Sequence, residues 1–267
     1  GLMEKYNTGD IVVAWEGKNN WRKTKSDYKA NRAKREFSED EKLMYNYNMS
    51  AVLEILAMLP IAQIKNDHLE ADDTIFYGVW HAKGGVNDIT IVSNDKDYMQ
   101  LIDDTRHVKM ARPDKGGYID TDESICFEKF GVRPKYMGVY LALVGDVGDN
   151  VKGITGVGPV RAKKIIEYIN NCGSISQGIR ESLILSSLIK EFLQSYRMVA
   201  MSKKLITKVN KYKNSFVLTF GKRKVLKLQN KLDSYNIRKF SAIDFARRLE
   251  TRQEGDWFKS LLSAIYL

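Results

Sequence analysis

With 267 residues, a formal charge of +10 and an isoelectric point near 9.3, the chain is large enough for one sizeable core or two modest ones, and its basic balance favours a polyanionic partner. No apolar run reaches the roughly 18 residues of a bilayer-crossing helix and no signal-peptide pattern opens the chain, so a cytoplasmic protein with no membrane partner is expected. Cys126 and Cys172 stand too far apart for zinc-ligand spacing or a disulfide framework, which fits a reducing compartment.

Residues 1–6 read as the end of a helix and Asn7-Thr8-Gly9-Asp10 as the turn behind it, as though a segment preceded them. Ile11 to Trp15 is a short β-branched run of the kind that forms a buried parallel strand. A basic stretch from Lys18 to Arg35 is too charged for a core. Ser38-Glu39-Asp40-Glu41 has the order of a capping box, and Met44, Val52, Ile55, Leu56 and Leu59 continue it as an amphipathic helix stopped by Pro60. Strands over Ile61 to Ile64 and Ile89 to Ser93 flank a helix over Ala71 to Ala82, ended by Gly84-Gly85. Val108 to Ala111 and Tyr118 to Asp120, around Gly116-Gly117, extend the sheet edge. Alternation of this kind predicts an α/β body with a parallel sheet over residues 1–121. Helices then dominate residues 122–267: Asp122 to Phe130, Pro134 to Val144, Pro159 to Ile169 and one from about Arg180 to Met201. The lysines from Lys203 to Lys227 read either as a solvated face or as a patch for nucleic acid. Phe240 to Leu267 reads as one or two closing helices with Trp257 and Phe258 as anchors.

Carboxylates fall in packets: Glu70, Asp72 and Asp73, then Asp95 and Asp97, then Asp146 and Asp149. In so basic a chain such grouping suggests paired divalent metals, as in a nuclease whose basic surface holds the phosphate backbone. Asp95 and Asp97 follow a strand, where ligand sites form in a doubly wound sheet. The helix dipole alone could explain Glu70 to Asp73. It cannot explain Asp146 and Asp149, at the end of a helix where anions are disfavoured. Hard oxygen donors without His or Cys indicate magnesium or manganese rather than zinc. Immediately downstream, Gly153, Gly156 and Gly158 lead into a helix bearing Arg161, Lys163 and Lys164, the composition of an anion nest before a basic helix.

Leu69-Glu70-Ala71-Asp72-Asp73, Ser93-Asn94-Asp95-Lys96-Asp97 and the run from Gly145-Asp146 to Gly158 resemble, in order and spacing, the motifs of the 5′-nuclease or flap endonuclease family. The nearest likeness is to bacteriophage 5′-3′ exonucleases and the 5′-nuclease domain of bacterial DNA polymerase I, over roughly Ile11 to Met201. Trp21-Arg22 and Tyr28-Lys29-Ala30-Asn31-Arg32 match as well and favour the phage-type branch, hence a host bacterial cytoplasm. The resemblance implies a PIN-like nuclease core and a helix-hairpin-helix DNA-binding motif. It implies two Mg2+ or Mn2+ ions, one held with help from Glu70, Asp72 and Asp95, the other by Asp97, Asp146 and Asp149, with Asp73 bridging through water or supporting the site. Lys29 and Arg32 would contact the scissile phosphate, and Arg22 and Tyr28 would bind DNA, although ion pairing of Arg22 and plain packing of Tyr28 are rival readings. The glycine loop would hold the uncut strand and a K+ ion. Activity would fall on 5′ ends of duplex or flap DNA, and on RNA–DNA hybrids, in replication or DNA degradation.

Two departures bear on one metal. No Asp-bearing strand precedes Gly1, so the chain is expected either to begin late or to lack that ligand. Glu16 stands where the second family strand ends in Asp, one methylene longer. A catalytically impaired junction-binding protein of the same fold is therefore the main rival. A PIN-type ribonuclease is disfavoured by the Gly153 to Gly158 loop, and a dinucleotide-binding dehydrogenase by a glycine loop that follows a helix rather than a strand. Protein partners and oligomeric state leave no trace in the sequence.

Overall fold

The computed structural model describes residues 2–8, 10–24, 28–30, 37–59, 61–82, 88–182, 186–221, 224–235 and 242. In chain order its helices and strands are α1 (Leu2–Lys5), β1 (Val12–Trp15), α2 (Glu39–Leu56), β2 (Ala62–Asn66), α3 (Ala71–His81), β3 (Ile89–Val92), β4 (Val108–Asp114), β5 (Gly117–Thr121), α4 (Glu123–Phe130), α5 (Met137–Val144), α6 (Pro159–Asn171), α7 (Ile175–Ser182), α8 (Ser186–Val199), α9 (Lys203–Asn210), β6 (Phe216–Phe220) and α10 (Val225–Ser234). They form two compact units. One comprises the described parts of Gly1–Asn20, Arg35–Ala82 and Lys211–Leu267, the other those of Trp21–Lys34 and Lys83–Asn210, so the expected boundary at 121/122 falls inside the second.

In the first unit β2 is central, parallel to β1 and antiparallel to β6. Its alternation explains the position: Ala62, Ile64 and Asn66 are buried while Gln63 and Lys65 between them are not. The capping box of α2 is present, with Ser38 Oγ accepting from Glu41 N–H at 3.2 Å and Glu41 Oε2 accepting from Ser38 N–H at 2.9 Å. Leu228 and Leu232 of α10 pack with Leu59 and Ile61, while Tyr235 meets Tyr47 of α2 edge-on at 5.7 Å. Phe76, Tyr77 and Val79 bury one side of α3.

At the end of α3, His81 lies 4.4 Å from the Tyr77 ring with Nε2 shut from solvent, and burial holds its pKa below the ordinary 6.5. A folded-state pKa below the unfolded one means that the unfolded chain binds more protons, so stability falls as the pH drops through about 6.5. His81→Asn is expected to flatten that part of the melting-temperature profile between about pH 7.5 and pH 5.5; an unchanged slope would refute the assignment.

The second unit contains a sheet in which β3 pairs parallel with β4, and β4 returns antiparallel as β5. Asp122 caps α4, its Oδ1 accepting from Ile125 N–H at 2.9 Å. Met137, Val139, Leu141, Ala142 and Leu143 bury most of α5, which packs against α6 and α8. Gln100 clamps the end of α8 from both ends of its amide: Nε2 donates to Val199 C=O at 2.9 Å and Oε1 accepts from Met201 N–H at 3.0 Å.

One expectation needs correction. The single parallel sheet is replaced by two three-stranded mixed sheets, because β5 doubles back on β4 as a hairpin and β6 returns from far along the chain to β2. Across the expected 180–201 span, helix is described by Ile175–Ser182 and Ser186–Val199, and 183–185 lie outside the described residues. Part of the lysine-rich segment is α9, which buries Leu205 and Val209 at helical spacing and leaves Lys203 and Lys204 exposed, in keeping with both readings of those lysines. The expected closing helices over 240–267 lie outside the described residues apart from Ala242.

Candidate metal centre

In the first unit the acids collect at the start of α3. Gly17 N–H donates to Leu69 C=O at 3.0 Å and Asn19 N–H to Asp67 C=O at 2.8 Å, which draws the end of β1 along the loop before the helix. Glu16 Oε2 thereby accepts from Ala71 N–H at 2.6 Å. Glu70 is the N-cap, and its own N–H donates to Asp73 Oδ2 at 3.2 Å. Glu70 and Asp73 are 2% and 0% exposed. The helix-dipole reading of this packet thus has a physical basis, and Glu16 contributes to it as a cap.

The second unit brings the other two packets into one cleft of about 520 Å³, lined by Asn94, Asp95, Lys96, Asp97, Asp146, Gly148 and Asp149 together with Lys129 and Phe130. Asp95 and Asp97 leave the end of β3, where Asp95 Oδ1 accepts from Asp97 N–H at 3.0 Å and fixes the turn. Asp146 opens a loop closed by reciprocal backbone bonds with Val151, both 2.7 Å. Its Oδ1 accepts from Gly148 N–H at 2.8 Å and its Oδ2 lies 3.1 Å from Lys96 Nζ. Asp97 and Asp146 are each 7% exposed, whereas Asp95 is open to solvent.

Residues 28–30 are fastened to the same loop. Tyr28 Oη donates to Asp149 Oδ2 at 2.9 Å, and Lys29, whose backbone is left-handed at φ 54°, donates N–H to Asp149 C=O at 3.1 Å. Arg32 lies outside the described residues. Arg22 is buried, 3% exposed, with its guanidinium over Trp21 at 4.6 Å and Nε donating to Met198 C=O at 3.3 Å. The expected phosphate contact at Arg22 is replaced by a packing role, because a shielded guanidinium is not presented to a backbone. Beyond the cleft, Arg161, Lys163 and Lys164 are exposed on α6 while Ala162, Ile166 and Ile169 are buried. Gly156 and Gly158 are open, but Gly153 is buried against Gly145. The Thr155 N–H of this loop already binds an anionic oxygen, Glu191 Oε2, at 3.1 Å.

Among the described residues no three carboxylate, imidazole or thiol groups converge tightly enough to enclose one ion. The donors nonetheless fit a hard divalent cation: they are all oxygens, and magnesium is commonly held by one or two carboxylates with water and substrate phosphate filling the shell. Lys96, Lys129, Phe130 and Glu191 escaped the sequence reading as site residues. Lys96 lay inside the Asn-Asp-Lys-Asp motif as a spacer, and the others arrive only through tertiary packing.

Carboxylates at the end of a strand, a cleft they line and a basic helix in the same unit describe the class: an α/β protein with mixed sheets and an acidic site. Residues 1–131 match the family described as 5′-3′ exonuclease, N-terminal resolvase-like domain. DNA polymerase I of Caldicellulosiruptor bescii is 31% identical over 209 residues, 77% of this chain and 24% of that protein. A 5′-3′ exonuclease of Aquifex aeolicus is 33% identical over 176 residues, 65% of this chain and 56% of that one. The chain therefore spans 24% of the polymerase relative's length. The bacteriophage T5 flap endonuclease, in a pseudo-enzyme-product complex with DNA and metal ions, superposes with a TM-score of 0.62 at 19% identity, covering 93% of this chain and 87% of that one. A T5 5′-exonuclease with bound zinc ions superposes at 0.56 with 20% identity, covering 99% and 87%. At such identities the likeness is one of fold. These matches bear out the resemblance to the 5′-nuclease family, whose resolvase-like domain residues 1–131 match. Among the described residues no helix is long and apolar enough to cross a membrane.

Proposed function

We propose that the chain is a metal-dependent 5′-3′ exonuclease or flap endonuclease that hydrolyses phosphodiester bonds near 5′ ends of duplex or branched DNA, and of RNA in hybrids. The observation that carries this reading is the cleft in which Asp95, Asp97, Asp146 and Asp149, from two distant motifs, meet beside a turn bearing Lys29. Two divalent ions, when bound, supply a hydroxide nucleophile and stabilise the departing 3′ oxygen. By the family resemblance Asp97, Asp146 and Asp149 would hold one, and Glu70, Asp72 and Asp95 would help to hold the other, with Asp73 bridging through water or supporting the site. Lys29 stabilises charge on the scissile phosphate from its anchored turn, and Arg32 joins it. Tyr28 orients Asp149 through its hydroxyl. The loop from Gly153 to Gly158 holds the uncut strand at its amides with a K+ ion, and Arg161, Lys163 and Lys164 follow the phosphates.

Cleavage of a 5′-labelled flap in magnesium tests the reading directly: products bearing a 5′-phosphate are expected, and chelation of the metal abolishes them. Binding without cutting is the second reading, favoured by Glu16 serving as a cap of α3, and an intact flap that remains tightly bound would establish it. For the nucleic-acid surface, changing Lys163 and Lys164 together to Ala is expected to weaken duplex affinity and to reduce the slope of log affinity against log salt by about one to two units. An unchanged slope would move that surface elsewhere.

A further inference from the structure

Both oxygens of Asp146 are engaged inside the cleft, one by the Gly148 N–H at 2.8 Å and the other by the Lys96 ammonium at 3.1 Å. The backbone contact is built into the loop. The ammonium is carried on a flexible side chain, 42% exposed, against a carboxylate that is 9% exposed. A divalent ion binding Asp146 Oδ2 competes with that ammonium, since two cations at contact distance on one oxygen repel each other strongly in a partly desolvated cleft. The ion carries twice the charge and wins once its concentration is sufficient. The Lys96 side chain springs from the residue between Asp95 and Asp97, so the displaced ammonium remains within the cleft.

Resting on the metal-centre reading above, we infer that Lys96 is an exchangeable internal cation: it neutralises Asp146 before the metal arrives, sets the threshold of metal concentration at which the site fills, and is a positioning residue rather than a catalytic one. A lysine at this place serves a use beyond surface charge. It spares the chain a buried, unpaired carboxylate in the metal-free state, where such a group is costly, and it keeps the site from filling at trace levels of divalent ion.

The test is calorimetric titration of Mn2+ chloride alone into the full-length chain and its variants, with no nucleic acid present. Lys96→Met and Lys96→Gln are expected to bind Mn2+ about tenfold more tightly than the parent, the order set by losing one charge-assisted hydrogen bond that competed for the ligand. Lys96→Arg, which keeps the cation, is expected to stay near the parent affinity. In an Asp146→Asn background the Lys96→Met gain is expected to vanish. Equal or weaker binding by both neutral variants would overturn the inference, as would an arginine variant that binds as tightly as the methionine one. A parent chain that binds no Mn2+ at all would remove the metal centre itself, and the role of Lys96 with it, whereas a parent that binds with unaltered neutral variants would remove only the latter.

Discussion

Asp146→Ala is expected to reduce flap cleavage in magnesium by at least about a thousandfold, the upper order seen when one preorganised electrostatic group is removed from a reacting centre. Burial and two contacts make this position the most sensitive. Asp146 is 7% exposed, so water does not readily substitute for its carboxylate. Its Oδ1 holds the Gly148 N–H, so its loss loosens the turn that carries Asp149. Its Oδ2 faces Lys96, so its removal leaves an uncompensated ammonium where a metal ion should sit and repels that ion. Asp97→Ala is expected to follow in direction, because Asp97 is equally buried and lines the same cleft. Circular dichroism on both variants separates a lost site from a lost fold. Retained cleavage by both would refute the metal assignment.

The second large effect concerns stability. Gly145 and Gly153 stand back to back at the base of the loop, with φ of 88° and 71°. A Cβ on Gly153 would lie 2.5 Å from Gly145 N and Val144 C, and one on Gly145 would lie 2.5 Å from Val151 O. Gly153→Ala therefore combines a left-handed backbone penalty of about 1–2 kcal/mol with an overpacking cost of about 1–3 kcal/mol. A loss near 3 kcal/mol lowers the melting temperature by roughly 6–12 °C in a chain of this size. Gly156→Ala is expected to cost only the backbone component, since its φ is 77° and nothing lies within 4 Å of the added atom. Gly158→Ala, open and without a positive φ, is expected to be near neutral. A series in which Gly153→Ala melts with the parent would show that the loop base is not closed.

Much of this was readable from residues alone where the cause is local. The capping box at Ser38, the N-cap at Asp122 and the proline at the start of α6 each act within one helical turn, and their elements begin where those signals stand. Asp95 and Asp97 follow a strand, as the sequence pattern implied, and they line one cleft with Asp146 and Asp149. What escaped depends on partners distant in sequence. Phe216 to Phe220 reads as an apolar island among lysines, and only its pairing with Ala62 to Asn66 makes it a strand. Arg22 looks like a free cation until Trp21 and the Met198 carbonyl close around it. Glu16 also caps α3 through Ala71 N–H, a contact its place in the sequence does not announce.

The return of β6 to β2 also bears on the order in which the chain acquires its structure during synthesis. Every segment of the second unit emerges from the ribosome before Phe216, whereas the first unit lacks one edge of its sheet until Phe220 has been made. The half with the acidic cleft can consolidate early, while Ala62 to Asn66 waits with an open edge for a partner of long loop-closure distance. Premature termination just ahead of Phe216 would thus yield a product with an intact Asp146 loop and a sticky, half-paired sheet, the kind of species on which chaperones act.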